Sequence, residues 1–142
     1  MAMKAGRLPK AENLIRAGKP DTQRRISFSF RHIAQARDKF HYSQRDSAYF
    51  CKVFERLSSM SDFTVQEFRA SRSSAVRAHP IDWEGTSEPC GFAHLNEQLR
   101  SSTPFQFAVS ANAHGRVHGF FVDNVFFVVW LDPDHLLYTG KK

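Results

Sequence analysis

The chain has 142 residues, 42% of them hydrophobic and 24% charged, and a net charge of +6. That length fits one domain able to bury its own core. Its two cysteines, Cys51 and Cys90, stand far apart and in no C-x-x-C arrangement, which excludes a disulfide scaffold or a zinc ribbon and points to a reducing compartment. No apolar stretch approaches the roughly 18 residues of a membrane span, and the first residues lack the apolar core of a secretory signal. A cytoplasmic protein without a membrane partner is expected.

The charge is uneven. Residues 1–25 hold seven Lys and Arg against Glu12 and Asp21, a balance of +5 that leaves only +1 for residues 26–142. With Gly6, Pro9, Gly18 and Pro20 and few large apolar side chains, this stretch reads as a flexible basic arm. Such an arm suits phosphates or an acidic partner, and Arg24 and Arg25 at its end are candidate nucleic-acid contacts. A solvated tail that aids solubility is the other reading.

From Arg25 the pattern has period two, with Ile26, Phe28 and Phe30 alternating with Ser27, Ser29 and Arg31, as in a half-buried strand. Asp46 caps a helix expected to run to about Met60, with Tyr49, Phe50, Val53, Phe54, Leu57 and Met60 on its apolar face and Cys51 packed beside it. Thr64-Val65-Gln66-Glu67 has the form of a capping box, flanked by Phe63 and Phe68 at staple positions, and opens a second helix ending near Arg72. A short strand is expected between Ala75 and Trp83 before Pro80 interrupts it, and a short helix over Phe92–Leu99. Phe105–Val109 alternates, an Asn112–Gly115 turn leads into Arg116–Val122, and Asp123-Asn124 leads into Val125–Leu131. The unbroken apolar run Phe126–Leu131 marks a central strand covered on both faces. The expected fold is α+β: an antiparallel sheet, made of a C-terminal three-stranded meander and the N-terminal strand, packed on a helical hairpin within one domain of residues 26–142.

Seven histidines form no H-E-x-x-H or other compact ligand set, so no metal site is expected. The chain carries no phosphate loop, G-x-G-x-x-G or G-x-S-x-G elbow, and no cofactor is implied. Polar candidates gather at the C-terminal sheet. Arg116 and His118 share one face of their strand, and Asp132, Asp134, His135 and Tyr138 follow the buried strand. A cation that holds a phosphate beside a histidine or tyrosine that moves a proton is what metal-free RNA cleavage requires. An exposed sheet face stapled by Tyr138 is the bland alternative. Between Arg77 and Glu84, Trp83 can stack on a base or close one end of the core, and His79 and Asp82 can act as donor and acceptor.

The segment Arg116–Trp130, followed by His135 and Tyr138, resembles the C-terminal hairpin of the RelE and YoeB superfamily of bacterial toxins, as does the order of strand, two helices and sheet. The resemblance implies a small metal-independent endoribonuclease that cleaves messenger RNA on the ribosome and is silenced by an antitoxin protein. Arg116 would bind phosphate, and His135 and Tyr138 would match the terminal catalytic pair. The chain departs from those toxins in its greater length and nearly neutral body.

A second reading is non-enzymatic. Ser59-Met60-Ser61-Asp62-Phe63 looks like a degenerate form of the pentapeptide by which bacterial proteins enter the groove of the DNA sliding clamp, with Met60 and Phe63 as the two anchors. A toxin of that kind blocks DNA replication without catalysis. An adaptor or structural role is the third.

Overall fold

In a computed structural model, residues 23–34, 39–73 and 75–138 are described. Most of the expected basic arm, residues 1–22, lies outside them. The period-two segment after Arg25 yields only a short strand, β1 (Ser27–Ser29), with Ile26 buried before it. Phe30 lies beyond the strand end and is exposed, because its carbonyl accepts the Ile33 N–H in a turn that leads the chain away.

Asp46 caps the first helix, α1 (Ser47–Met60), by accepting the Tyr49 N–H at 3.1 Å. Its buried stripe is Tyr49, Val53, Leu57 and Met60, narrower than expected. At about 100° per residue, Phe54 sits about a quarter-turn off that stripe and is 63% exposed, and Cys51, about 160° from Val53, faces solvent rather than packing. The capping box forms as the sequence indicates: Glu67 N–H donates to Thr64 Oγ1 at 3.0 Å and Thr64 N–H to Glu67 Oε1 at 2.9 Å. It opens α2 (Val65–Ala70), which stops two residues short of Arg72.

The sheet has five strands in the order β1-β5-β4-β3-β2. β3 (Pro104–Ala108), β4 (Arg116–Val122) and β5 (Val125–Asp132) form the expected antiparallel meander. The sheet is mixed rather than wholly antiparallel, because β1 pairs parallel with β5: after both helices the chain enters the far edge at β2 running opposite to β1, and the three reversals from β2 through β3 and β4 bring β5 round to the direction of β1. β2 (His79–Pro80) includes Pro80 instead of stopping before it; an edge position spares a residue with no N–H the loss of a ladder bond. Asp123, at φ 55°, supplies the left-handed backbone of the two-residue β4–β5 turn.

β5 is flanked by β1 and β4 and covered on both faces. Phe126, Val128 and Leu131 join Phe105, Phe107, Val117, Phe121 and the helix residues Met60, Val65 and Phe68 in one core. Val129 and Trp130 join Phe40, Ile81, Phe92, Leu95, Phe120 and Leu137 in a second core on the opposite face, built from loops. Pairing jumps from His118↔Trp130 to Gly119↔Val128, so Val129 is a bulge residue, and its carbonyl accepts the Ala34 N–H at 2.8 Å. Of the helix expected over 92–99, only α3 (Glu97–Arg100) forms, because Asn96 takes the N-cap by accepting the Leu99 N–H. Among the described residues no helix is long and apolar enough to cross a membrane.

The stability of the fold rests on these two cores. Trp130→Ala and Phe126→Ala, each deleting a fully buried ring, are expected to lose about 3–5 kcal/mol in urea unfolding. Phe54→Ala on the outer face of α1 is expected to change stability by about 0.5 kcal/mol or less.

Candidate active site

The C-terminal ends of the meander fold back on themselves. Asp132 closes β5 with a fully buried carboxylate that accepts the Leu136 N–H at 2.8 and 2.9 Å and the Leu137 N–H at 3.0 Å. His135 N–H donates to the Asp132 carbonyl at 3.1 Å, and Leu137 inserts into the loop-side core. The resulting turn lays His135 and Tyr138 over Arg116, the first residue of β4 and the cross-strand partner of Asp132. Gly115, at φ +71°, makes the close approach feasible: a Cβ there would run into the Asp132 carbonyl and the Pro133 backbone.

A cleft of about 250 Å³ results, lined by Arg77, His79, Gln106, Arg116, His135 and Tyr138. Arg77, Arg116 and His135 also line a second, more polar pocket of about 450 Å³ with Asn112, His114 and Asp134. Four non-glycine residues among those described have left-handed backbone, and three of them, Arg77 (φ 51°), His114 (φ 70°) and His135 (φ 56°), line these walls. Such conformations cost about 1–2 kcal/mol each and concentrate at functional sites.

The electrostatics are cationic. Burial lowers the Arg116 pKa, with nearby Arg77 adding to the effect; a guanidinium nonetheless keeps its charge. Burial first, then Arg116, Arg77 and His79, lowers the pKa of His135, so at neutral pH its imidazole is uncharged and free to accept a proton. Burial raises the pKa of Tyr138, which keeps its phenol protonated. The Tyr138 oxygen accepts the Asp82 N–H at 3.3 Å, leaving its own proton to donate, and the His79 ring stands 5.7 Å from the Tyr138 ring.

Of the residues singled out in the sequence, the fold thus brings together Arg116, His135 and Tyr138. His118 shares their face but lies beneath it, 0% exposed and edge-on to Phe40 and Trp130 at 5.8 and 6.0 Å. Its Nε2 is 3.6 Å from Asp132 Oδ2, too long for a hydrogen bond, and burial pulls its pKa to about 3, so this is a neutral core histidine and not half of an ion pair. Trp83 closes the loop-side core against Phe92 and Trp130 rather than presenting a free face. Asp82 caps the turn Trp83–Gly85 by accepting the Glu84 N–H, and His79 Nδ1 lies 2.7 Å from the Pro80 carbonyl, so the two do not pair.

Arg24 and Arg25 sit where β1 enters, beside Asn124 at the other end of β5 from Asp132, about 23 Å away at 3.3 Å per residue. Met60 is 0% exposed and Phe63 half-buried against the helix-side core, with both backbone groups of Phe63 bonded, to Met60 and Ile26. Arg77 and Gln106, which no motif in the sequence singles out, join the cleft. Gln106 carried a usable signal, as the polar residue inside the run Phe105–Val109. Among the described residues no three His, Cys, Asp or Glu side chains gather as metal ligands would.

Fold and cleft together define an α+β domain with a basic, histidine-bearing groove at the open end of its sheet. Comparison with protein families, with curated proteins and with solved structures gives no match.

The buried histidine sets a pH dependence. Unfolding exposes His118 to its ordinary pKa of about 6.5, whereas the folded value is about 3. Between these limits the unfolded chain takes up a proton that the folded one refuses, so stability falls as pH drops from about 6.5 toward 3, by at most about 1.4 kcal/mol per pH unit. His118→Leu is expected to flatten that limb in denaturant midpoints measured from pH 7 to 4; an unchanged slope contradicts the assignment.

Proposed function

We propose that the chain is a metal-independent endoribonuclease of the bacterial toxin type, acting at the Arg77–Arg116–His135–Tyr138 cleft. The observation that carries this reading is the convergence of two guanidiniums, two imidazoles and a phenol in one groove. Arg77 and Arg116 hold the scissile phosphate and stabilise the charge that develops on it. His135, neutral at neutral pH, accepts the proton of the ribose 2′-hydroxyl. The 2′-oxygen then attacks phosphorus, the bond from phosphorus to the 5′-oxygen breaks, and Tyr138 gives its proton to that leaving oxygen. The products are a 2′,3′-cyclic phosphate and a free 5′-hydroxyl.

The resemblance to the RelE and YoeB toxins supports the same Arg116, His135 and Tyr138, and the fold adds Arg77 and His79. RNA, free or on the ribosome, is the substrate of this reading, and an antitoxin protein that covers the cleft is its partner. The sliding-clamp alternative depends on Met60 as an anchor, and that side chain is reached only if the end of α1 unwinds.

The test is cleavage of end-labelled RNA, free in EDTA and ribosome-bound in the magnesium buffer that keeps ribosomes assembled. Arg116→Ala, His135→Ala and Tyr138→Phe are each expected to lower the rate by about a hundredfold or more, with circular dichroism unchanged. Because the His135 pKa is lowered, the acid limb of the wild-type rate profile is expected below pH 6.5. Undiminished cleavage by the folded variants, or no cleavage by the wild type on either substrate, rules the proposal out.

A further inference from the structure

Gln106 is 3% exposed, yet its Oε1 has no hydrogen-bond partner, although the side chain lines the cleft. An orphaned buried acceptor in a native interior calls for an explanation, and where its side chain lines a groove a ligand that brings a donor supplies one. Its neighbours show what kind of ligand. Gln106 pairs across the sheet with His79 of β2 on one side and His118 of β4 on the other. His79 and Tyr138 set two aromatic rings at the rim. Arg116 pairs with Ala108, two residues along β3, which places a phosphate-binding cation about 7 Å from Gln106 along the strand, the scale of one nucleotide.

An amide presents an acceptor and a donor side by side and can meet the edge of a base with both. Unstacked bases of single-stranded RNA are recognised in this way, by edge hydrogen bonds beside aromatic side chains. We infer that Gln106 is the base-reading residue of a nucleobase subsite bounded by His79 and Tyr138, next to the Arg77 and Arg116 phosphate site. The inference takes its substrate class from the ribonuclease reading. It makes the cleft selective for sequence, since the buried Oε1 accepts only from a base that turns an N–H inward.

The experiment is isothermal titration of the full chain with the four nucleoside 3′-monophosphates and with inorganic phosphate. Binding of the preferred nucleotide is expected to exceed that of the poorest by about tenfold or more. Gln106→Leu should reduce all four to one affinity while leaving inorganic phosphate binding unchanged. Gln106→Glu, which keeps an acceptor and loses the donor, should reorder the preference. Four equal wild-type affinities, nucleotides bound no better than phosphate, or a preference that survives both folded variants would overturn the inference. Base-selective binding without RNA cleavage defeats the ribonuclease reading and leaves the subsite standing; cleavage without base selectivity does the reverse.

Discussion

The buried carboxylate of Asp132 is the constraint on which the open end of this molecule depends. A carboxylate withdrawn from water is tolerated only when its oxygens are occupied, and here backbone N–H groups of Leu136 and Leu137 occupy them. Burial still raises the Asp132 pKa, the two N–H bonds working against that rise. The interaction ties the last residue of β5 to the chain four and five positions on. Leu137 is thereby driven into the loop-side core, and His135 and Tyr138 are left facing Arg116. The turn that carries these side chains is thus held by bonds from backbone N–H groups to a carboxylate, and not by bonds among the side chains themselves.

Much of the architecture is legible because it is local. Asp46 and the Thr64–Glu67 box are start signals whose partners lie three residues away, so α1 and α2 begin where the sequence indicates. The run Phe126–Leu131 announces a strand covered on both faces, and β5 is one. What misleads is decided by distant parts of the chain. Whether β1 lies parallel or antiparallel to β5 depends on how two helices return the chain to the sheet, and no residue within β1 encodes that. Phe54 is apolar enough for a core, but its angle on the helix leaves it outside the stripe that the sheet can cover.

The site divides along the same line. Arg116, His135 and Tyr138 lie in or just after the β4–β5 hairpin, whose strands and turn are legible from alternation and from Asp123-Asn124. Alternation puts His118 on one strand face with Arg116, but it tells which residues share a face and not how much of that face is covered. Phe40, from a loop nearly eighty positions earlier, helps bury it. Arg77 and Gln106 belong to β2 and β3 territory, and only sheet order brings them beside the C-terminal turn.

The bulge at Val129 has a consequence for the phase of β5. In a regular strand Phe126, Val128, Trp130 and Asp132 would all point to one side, and the carboxylate would enter the helix-side core with the phenylalanines. The extra residue advances the alternation by one step, so that Phe126 and Val128 face the helices while Trp130 and Asp132 face the loops. A single inserted residue thus lets an apolar strand end in a polar anchor on the other side of the sheet. The groove exists because β5 changes sides halfway along its length.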